Sequence, residues 1–324
     1  MKSLKQLVLL FACALTLASN AFSQGAGNYP DKPIKIVVSF TAGGTTDILA
    51  REVGNQMSIR WKVPVVIENK PGAAGNLGTE IVGRAAPDGY TLLASSIGPI
   101  SINPTLFGNL PVNPQKALQP VALLGDVPNI LVVPASSGIK NWKEFTAYLK
   151  ANPNAINYGS TGIGTTAHLI SYLFAQKLNV DALHIPYKGA EATRDLVAGR
   201  LQFMFATAPS VVPLIKAGQL NAIAVSSKKR ISAMPDLPTL NELGVDIATG
   251  AWFGLFAPAG TNPAIVKKLN ETVVSILEEP VIRQKLLGLG ADPVLMNVQE
   301  FTKFVRGDFA LWAPIVKASG AKPE

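Results

Sequence analysis

The chain is predicted to be an α/β protein, and three observations carry that expectation. Apolar, β-rich runs alternate with helix-period segments from residue 34 almost to the end, a pattern that favours strands, largely parallel, covered by helices. Two of the junctions, FTAGGTTD (40–47) and YGSTGIGTTAH (158–168), share one design in which a strand runs into a glycine- and threonine-rich turn that opens a helix. The chain also has 324 residues, more than one hydrophobic core usually organises, so two domains are expected.

The elements follow in order. IKIVVSF (34–40) is the first strand, TAGGTTD the turn after it, and the next helix shows Leu49, Val53 and Met57 at four-residue spacing. PVVIEN (64–69) is a strand, NKPGAAGN a turn, and Leu77, Ile81 and Ala85 mark the apolar face of a second helix. TLLASS (91–96) is the third strand. NILVVP (129–134), the helix NWKEFTAYLKA, the strand INYGS (156–160), a helix after its turn, ALHIPY (182–187), the helix EATRDLVAG, LQFMFAT (201–207) and NAIAVSS (221–227) continue the alternation. The strand AWFGLFAP (251–258) precedes helices at 262–279, 281–288 and 298–318, whose broad apolar faces require a sheet to cover. A natural arrangement lets the last part of the chain close the first domain.

The first residues set the compartment. MKSLKQ carries Lys2 and Lys5 ahead of the apolar run LVLLFACALTLA, with small residues around 19–23, the pattern of a cleaved secretory signal over residues 1–23. The run is too short to span a membrane comfortably. The only cysteine, Cys13, lies in that segment, so the mature chain has no disulfide, thiolate metal site or cysteine nucleophile. Net charge falls from +8 to +6 on loss of Lys2 and Lys5, and charged residues make up 15% of the chain. No basic stripe with interleaved aromatics marks a nucleic-acid binder; attraction of a small anion is the modest inference.

The turn Gly162-x-Gly164-x-x-Ala167 has dinucleotide-binding spacing, and Asp181 stands about 20 residues on, where a ribose-binding acid would sit. The same turn, like Thr41–Thr46, also serves for a small acid, because a helix start offers unpaired N–H groups and partial positive charge while glycines admit the ligand to the backbone. A third reading makes the hydroxyl residues simple helix caps. Asp47 reads as a cap or first-turn residue, since a carboxylate would repel an acidic ligand.

At the level of whole segments the chain resembles the periplasmic solute-binding proteins of tripartite tricarboxylate transporters, the TctC or Bug family. The resemblance rests on YPDKPIKIVVSFTAGGTTDILAR, VIENKPGAAGNLGTEIVGRAAPDGYTLL, YGSTGIGTTAHL, IPYKGAEATRDLVAGRL, MPDLPTLNELG and WFGLFAPAGTNPAIVKKLN. It implies a type II periplasmic binding-protein fold, two α/β lobes joined by crossing strands that close on a carboxylate, without cofactor or metal, and with it a discontinuous domain of 24–126 plus 250–324 and an inserted one of 127–249. It places Thr41, Ala42, Gly43, Gly44 and Thr45 on one lip of the cleft, Ser160, Gly162, Gly164, Thr165 and Thr166 on the other, and Ser95 and Ser96 along the lining. The implied partners are a small carboxylate and the permease subunits of such a transporter, or alternatively a sensor protein, with the protein itself a monomer. Two departures stand out: SFTAGG replaces the family's proline-rich PFPPGG, and Thr207 stands where an aspartate is frequent. With no acid at 207, the cleft is expected to favour plain acids over amino acids.

The two histidines, His168 and His184, are too few for a metal site or a triad. His168 is read as a residue of the turn with a weaker claim on the ligand, and His184 as core. Ser160 lacks the glycine two positions earlier that a nucleophile elbow requires. Trp252, Phe253 and Tyr187 are read as packing residues before ligand-stacking ones.

Overall fold

A computed structural model describes residues 27–153, 155–319 and 321–322; the expected signal segment lies outside the described residues. The expected alternation is present. Strands β1 (Ile34–Val38), β2 (Val65–Asn69) and β3 (Thr91–Ser96) carry helices α1 (Thr45–Trp61) and α2 (Asn76–Gly83) between them. A long strand β4 (Leu118–Pro134) follows, then α3 (Trp142–Ala151), β5 (Ile156–Ser160), α4 (Thr166–Lys177), β6 (Ala182–Pro186), α5 (Glu191–Val197), β7 (Phe203–Thr207), α6 (Ala208–Lys216) and β8 (Leu220–Val225). The chain ends with β9 (Gly250–Pro258), α7 (Pro263–Glu278), α8 (Pro280–Gly288) and α9 (Val298–Ser319).

The strands run in the order β2-β1-β3-β9-β4-β7-β5-β6, with β8 also on β4. Pairs β1–β2, β1–β3, β5–β6 and β5–β7 are parallel, as the alternation requires. The centre differs from the parallel expectation: β9 is antiparallel to both β3 and β4, and β4 is antiparallel to β7 and β8. β4 serves both ends of the sheet. Its residues Leu118 to Pro128 pair with β9, and from Asn129 it pairs with β7 and β8.

Where β4 changes partners, three passes of the chain are tied together. The Asn129 amide donates to Ser226 Oγ (3.0 Å), that hydroxyl donates to the Thr249 carbonyl (2.6 Å), and backbone bonds join Ser226 to Asn129 (2.8 Å) and Thr249 to Ser226 (2.9 Å). Ser226 is fully buried, so these bonds replace the hydration it lost.

Sequence patterning missed the first two thirds of β4 and all of α6. Gln119-Pro120, Gly125-Asp126 and Pro128 read as turn punctuation, whereas the strand absorbs the proline and glycine through register shifts at Pro120/Ala122 and Leu123/Gly125. In α6, Pro209 occupies the first turn, where its missing N–H costs nothing, but Pro213 inside the helix reads as a breaker. The second helix is also turned relative to the expected face: α2 buries Asn76, Gly78, Thr79 and Val82, while Leu77 is 41% exposed. A Cβ on Gly78 would come within 3.0 Å of Ser39 Cα. Close helix–strand packing through a glycine thus overrides the Leu77–Ile81–Ala85 periodicity.

The apolar interior falls into two clusters. One joins β1, β3 and β9 to α1, α7 and α9 through residues such as Leu49, Met57, Phe256 and Phe301. The other gathers Phe145, Phe174, Phe203 and Phe205 under α3 and α4, with ring centroids 5.2 Å apart for Phe174 and Phe205. No helix among the described residues is long and apolar enough to cross a membrane.

Candidate functional site

β1 ends one residue before Ser39-Phe40, and the chain turns through Gly43 (φ +81°) into α1, whose N-cap Gly44 makes no side-chain cap bond. Asp47 organises this turn from behind. Buried in the first turn, it accepts bonds from Gly43 N (2.9 Å), Arg51 Nε (2.9 Å) and Asn69 Nδ2 (3.0 Å). Burial on its own would raise the Asp47 pKa, but the donors Arg51, Gly43 and Asn69 outweigh it and hold the carboxyl below its ordinary range. Its structural role is thereby accounted for, and the first-turn amides of Thr45 and Thr46 have no acceptor inside the helix.

β5 leads in the same manner to α4. Thr165 is the N-cap: its Oγ1 accepts from His168 N (3.4 Å) and donates to the Gly162 carbonyl (2.7 Å). Gly164 (φ +78°) donates its amide to His168 Nδ1 (3.2 Å), which requires that nitrogen to be unprotonated.

Both helix starts face one cavity of about 60 Å³. Its wall includes Thr41, Gly44 and Thr45 from the first turn, Ser96 from the end of β3, Thr165 and Thr166 from the second turn, and Thr207 from the end of β7. No Lys, Arg, His, Asp or Glu lines it. Two hydroxyl contacts span it: Thr45 Oγ1 lies 2.6 Å from Thr207 Oγ1, and the Ala190 amide donates to Thr41 Oγ1 (3.0 Å). Such a wall offers amides and hydroxyls to an anion and holds no opposing charge.

The remaining expected site residues stand off this wall. Ala42 is exposed, and Gly43 lines a neighbouring groove beside Ile48 and Pro213. Ser95 is buried against Ser39 Oγ (3.1 Å), and Ser160 is engaged with His184 Nε2 (2.7 Å) and the Gly162 carbonyl. Gly162 opens on a second chamber, and Gly164 packs towards Leu106 and Asn103. His168 faces away from the cavity, stacked on His184 with ring centroids 4.0 Å apart.

Thr161, a hydroxyl of the second turn, is also on the wall, and residues there that sequence reasoning passed over include Gly189, Ala190, Thr193 and Ser210. Most sit at further strand-to-helix junctions, KGAEA (188–192) before α5 and TAPS (207–210) opening α6. Extending the strand–turn–helix recurrence from two turns to four would have found them. Phe253 also lines the cavity, whereas Trp252 packs inside, its Nε1 donating to Asp308 Oδ2 (3.0 Å). The Tyr187 hydroxyl donates to Asp195 Oδ2 (2.8 Å).

The histidine pair makes stability depend on pH. Burial lowers the pKa of His168 to about 4; burial, with the neighbouring His168 ring, lowers that of His184 to about 3. Both folded values lie below the ordinary histidine value near 6.5, so the unfolded chain binds more protons between them. Stability is then complete above about pH 6.5 and declines as pH falls toward 4 and 3. Urea melts at pH 7, 5.5 and 4.5 should show a falling midpoint, and replacing His184 by Asn should flatten that fall even if it lowers stability at pH 7.

Comparison with known proteins places the chain in a family. The family model described as tripartite tricarboxylate transporter family receptor, TctC, matches residues 49–321. A Rhodopseudomonas palustris protein solved with adipate, Rpa4515, is 32% identical with a TM-score of 0.88, over 91% of this chain and 100% of that one. The periplasmic binding protein BugD is 35% identical with a TM-score of 0.86 over the same shares. MatC from Rhodopseudomonas palustris, with bound malate, is 32% identical with a TM-score of 0.82, over 89% and 100%. With its family model covering most of the sequence and its fold shared with periplasmic binding proteins, this chain belongs to the tripartite tricarboxylate transporter receptor family, the TctC or Bug-type solute-binding proteins.

Proposed function

We propose that the protein captures a small carboxylic acid in the periplasm, after removal of residues 1–23, and delivers it to the membrane subunits of a tripartite tricarboxylate-type transporter. One observation carries the reading: two helix starts, α1 and α4, converge with their threonines on a single uncharged cavity. Rpa4515 with adipate and MatC with malate support carboxylates as the ligand class.

The two lobes are 24–126 with 250–324, and 127–249, and the bonded crossing at Asn129, Ser226 and Thr249 is the hinge between them. Contacts from both lobes exist together only when the cleft is closed, so the ligand shifts the population toward that form by its differential affinity. Micromolar affinity requires about 8 kcal/mol at standard state. The reading is of binding without catalysis, since the wall presents no acid–base group and no nucleophile with an adjacent base.

The same wall argues for ligand selectivity. An amino acid would bring an ammonium group into a cavity with no carboxylate to pair with, an unmatched charge that costs several kcal/mol. Calorimetric titration of adipate, malate and succinate against aspartate and glutamate should show binding of the plain acids only. Tighter binding of the amino acids, or no thermal stabilisation by any acid, would overturn the reading.

A further inference from the structure

The cavity at the helix starts shares Phe40 and Thr161 with a second chamber of about 560 Å³. This outer chamber is walled by the rings of Phe107 and Tyr187 and carries two charged residues, Lys188 and Glu191. Among the described residues the Lys188 ammonium makes no ion pair or hydrogen bond, and neither does the Glu191 carboxylate. The inner space is small beside the outer one, about 60 Å³ against about 560 Å³, so an extended acid seated at the helix starts runs on into the outer chamber. A second carboxylate confined to the inner space would also be buried with no cation to face it.

We propose, building on the carboxylate reading above, that the physiological ligand is an elongated diacid with an apolar body, gripped at both ends. One carboxylate lies on the starts of α1 and α4. The body passes Phe40 and Thr161 between the aromatic walls, and the second carboxylate emerges beside Lys188. Lys188 and Glu191 then act as opposed specificity determinants, one attracting the outer carboxylate and the other repelling it. Both stand at the rim, where a charge contact is worth a few-fold in affinity and is screened by salt.

The test compares adipate with hexanoate, the same chain length carrying one carboxylate, by calorimetry on the full mature protein. Wild type should prefer adipate. Lys188→Gln should shrink that preference about two- to fivefold, Glu191→Gln should enlarge it by a similar factor, and raising salt should move the wild type toward Lys188→Gln. Hexanoate binding should change little in either variant. Equal affinity of the wild type for the two acids, or a preference unmoved by both substitutions, overturns this inference alone. Failure of the wild type to bind either acid overturns the carboxylate reading itself, and this inference with it.

Discussion

Replacing Gly189 by Ala should weaken carboxylate binding by about 10- to 100-fold while the protein still folds. The turn before α5 comes against the turn before α1, where the Ala190 amide bonds Thr41 Oγ1. A Cβ on Gly189 would fall well inside van der Waals contact distance of that same Thr41 oxygen. The added methyl therefore pushes the two turns apart, at a cost of about 1–3 kcal/mol for overpacking. Gly189 also has φ +120°, so some strain accompanies the substitution in every state and should appear as a lower melting temperature. A double-mutant cycle separates the two effects, because Thr41→Ala removes the colliding oxygen and should restore part of the binding lost in Gly189→Ala. Additive losses in the cycle would show that this contact does not govern closure.

Thr207→Asp should reduce affinity for diacids by 100-fold or more. Thr207 ends β7 and caps the start of α6 while its hydroxyl meets Thr45 Oγ1 across the cavity (2.6 Å) and Ser210 Oγ (3.2 Å). An aspartate there places a carboxylate at the point where two helix starts await one from the ligand, and like-charge juxtaposition in a closed site costs several kcal/mol. The variant should also be more readily closed by aspartate or glutamate, whose ammonium group finds the new partner. Calorimetry with both ligand classes reads the exchange. Undiminished diacid binding in Thr207→Asp would place the ligand elsewhere.

Legibility of the fold followed the local signals. β1, β3, β5, α1 and α3 announce themselves because each is a short buried run or a helix-period pattern with clear turn residues beside it. β4 and α6 were obscured by prolines whose cost depends on tertiary setting: an irregular strand tolerates Pro120 and Pro128, and helix α6 keeps its contacts around Pro213. The face of α2 was misread because a glycine, invisible to hydrophobic periodicity, decides how closely the helix lies on Ser39.

The site divides along the same line. Thr41, Gly44, Thr45, Thr165, Thr166, Ser96 and Thr207 share one wall, as the two turns and the strand ends suggested. Which glycine faces the cavity and which faces the turn opposite depends on backbone angles no residue spacing encodes. Gly43 and Gly164 accordingly stand off the wall in the turns, while Gly189, at a junction the motif search passed over, lines it against Thr41.

The place of β9 bears on how the polypeptide acquires its shape. This segment, from the last quarter of the chain, is inserted between β3 and β4, so the middle of the sheet has a gap until residue 258 is available. Pairings that span such long stretches of sequence form slowly. A newly made chain accordingly keeps the centre of its sheet unpaired until its synthesis is nearly complete.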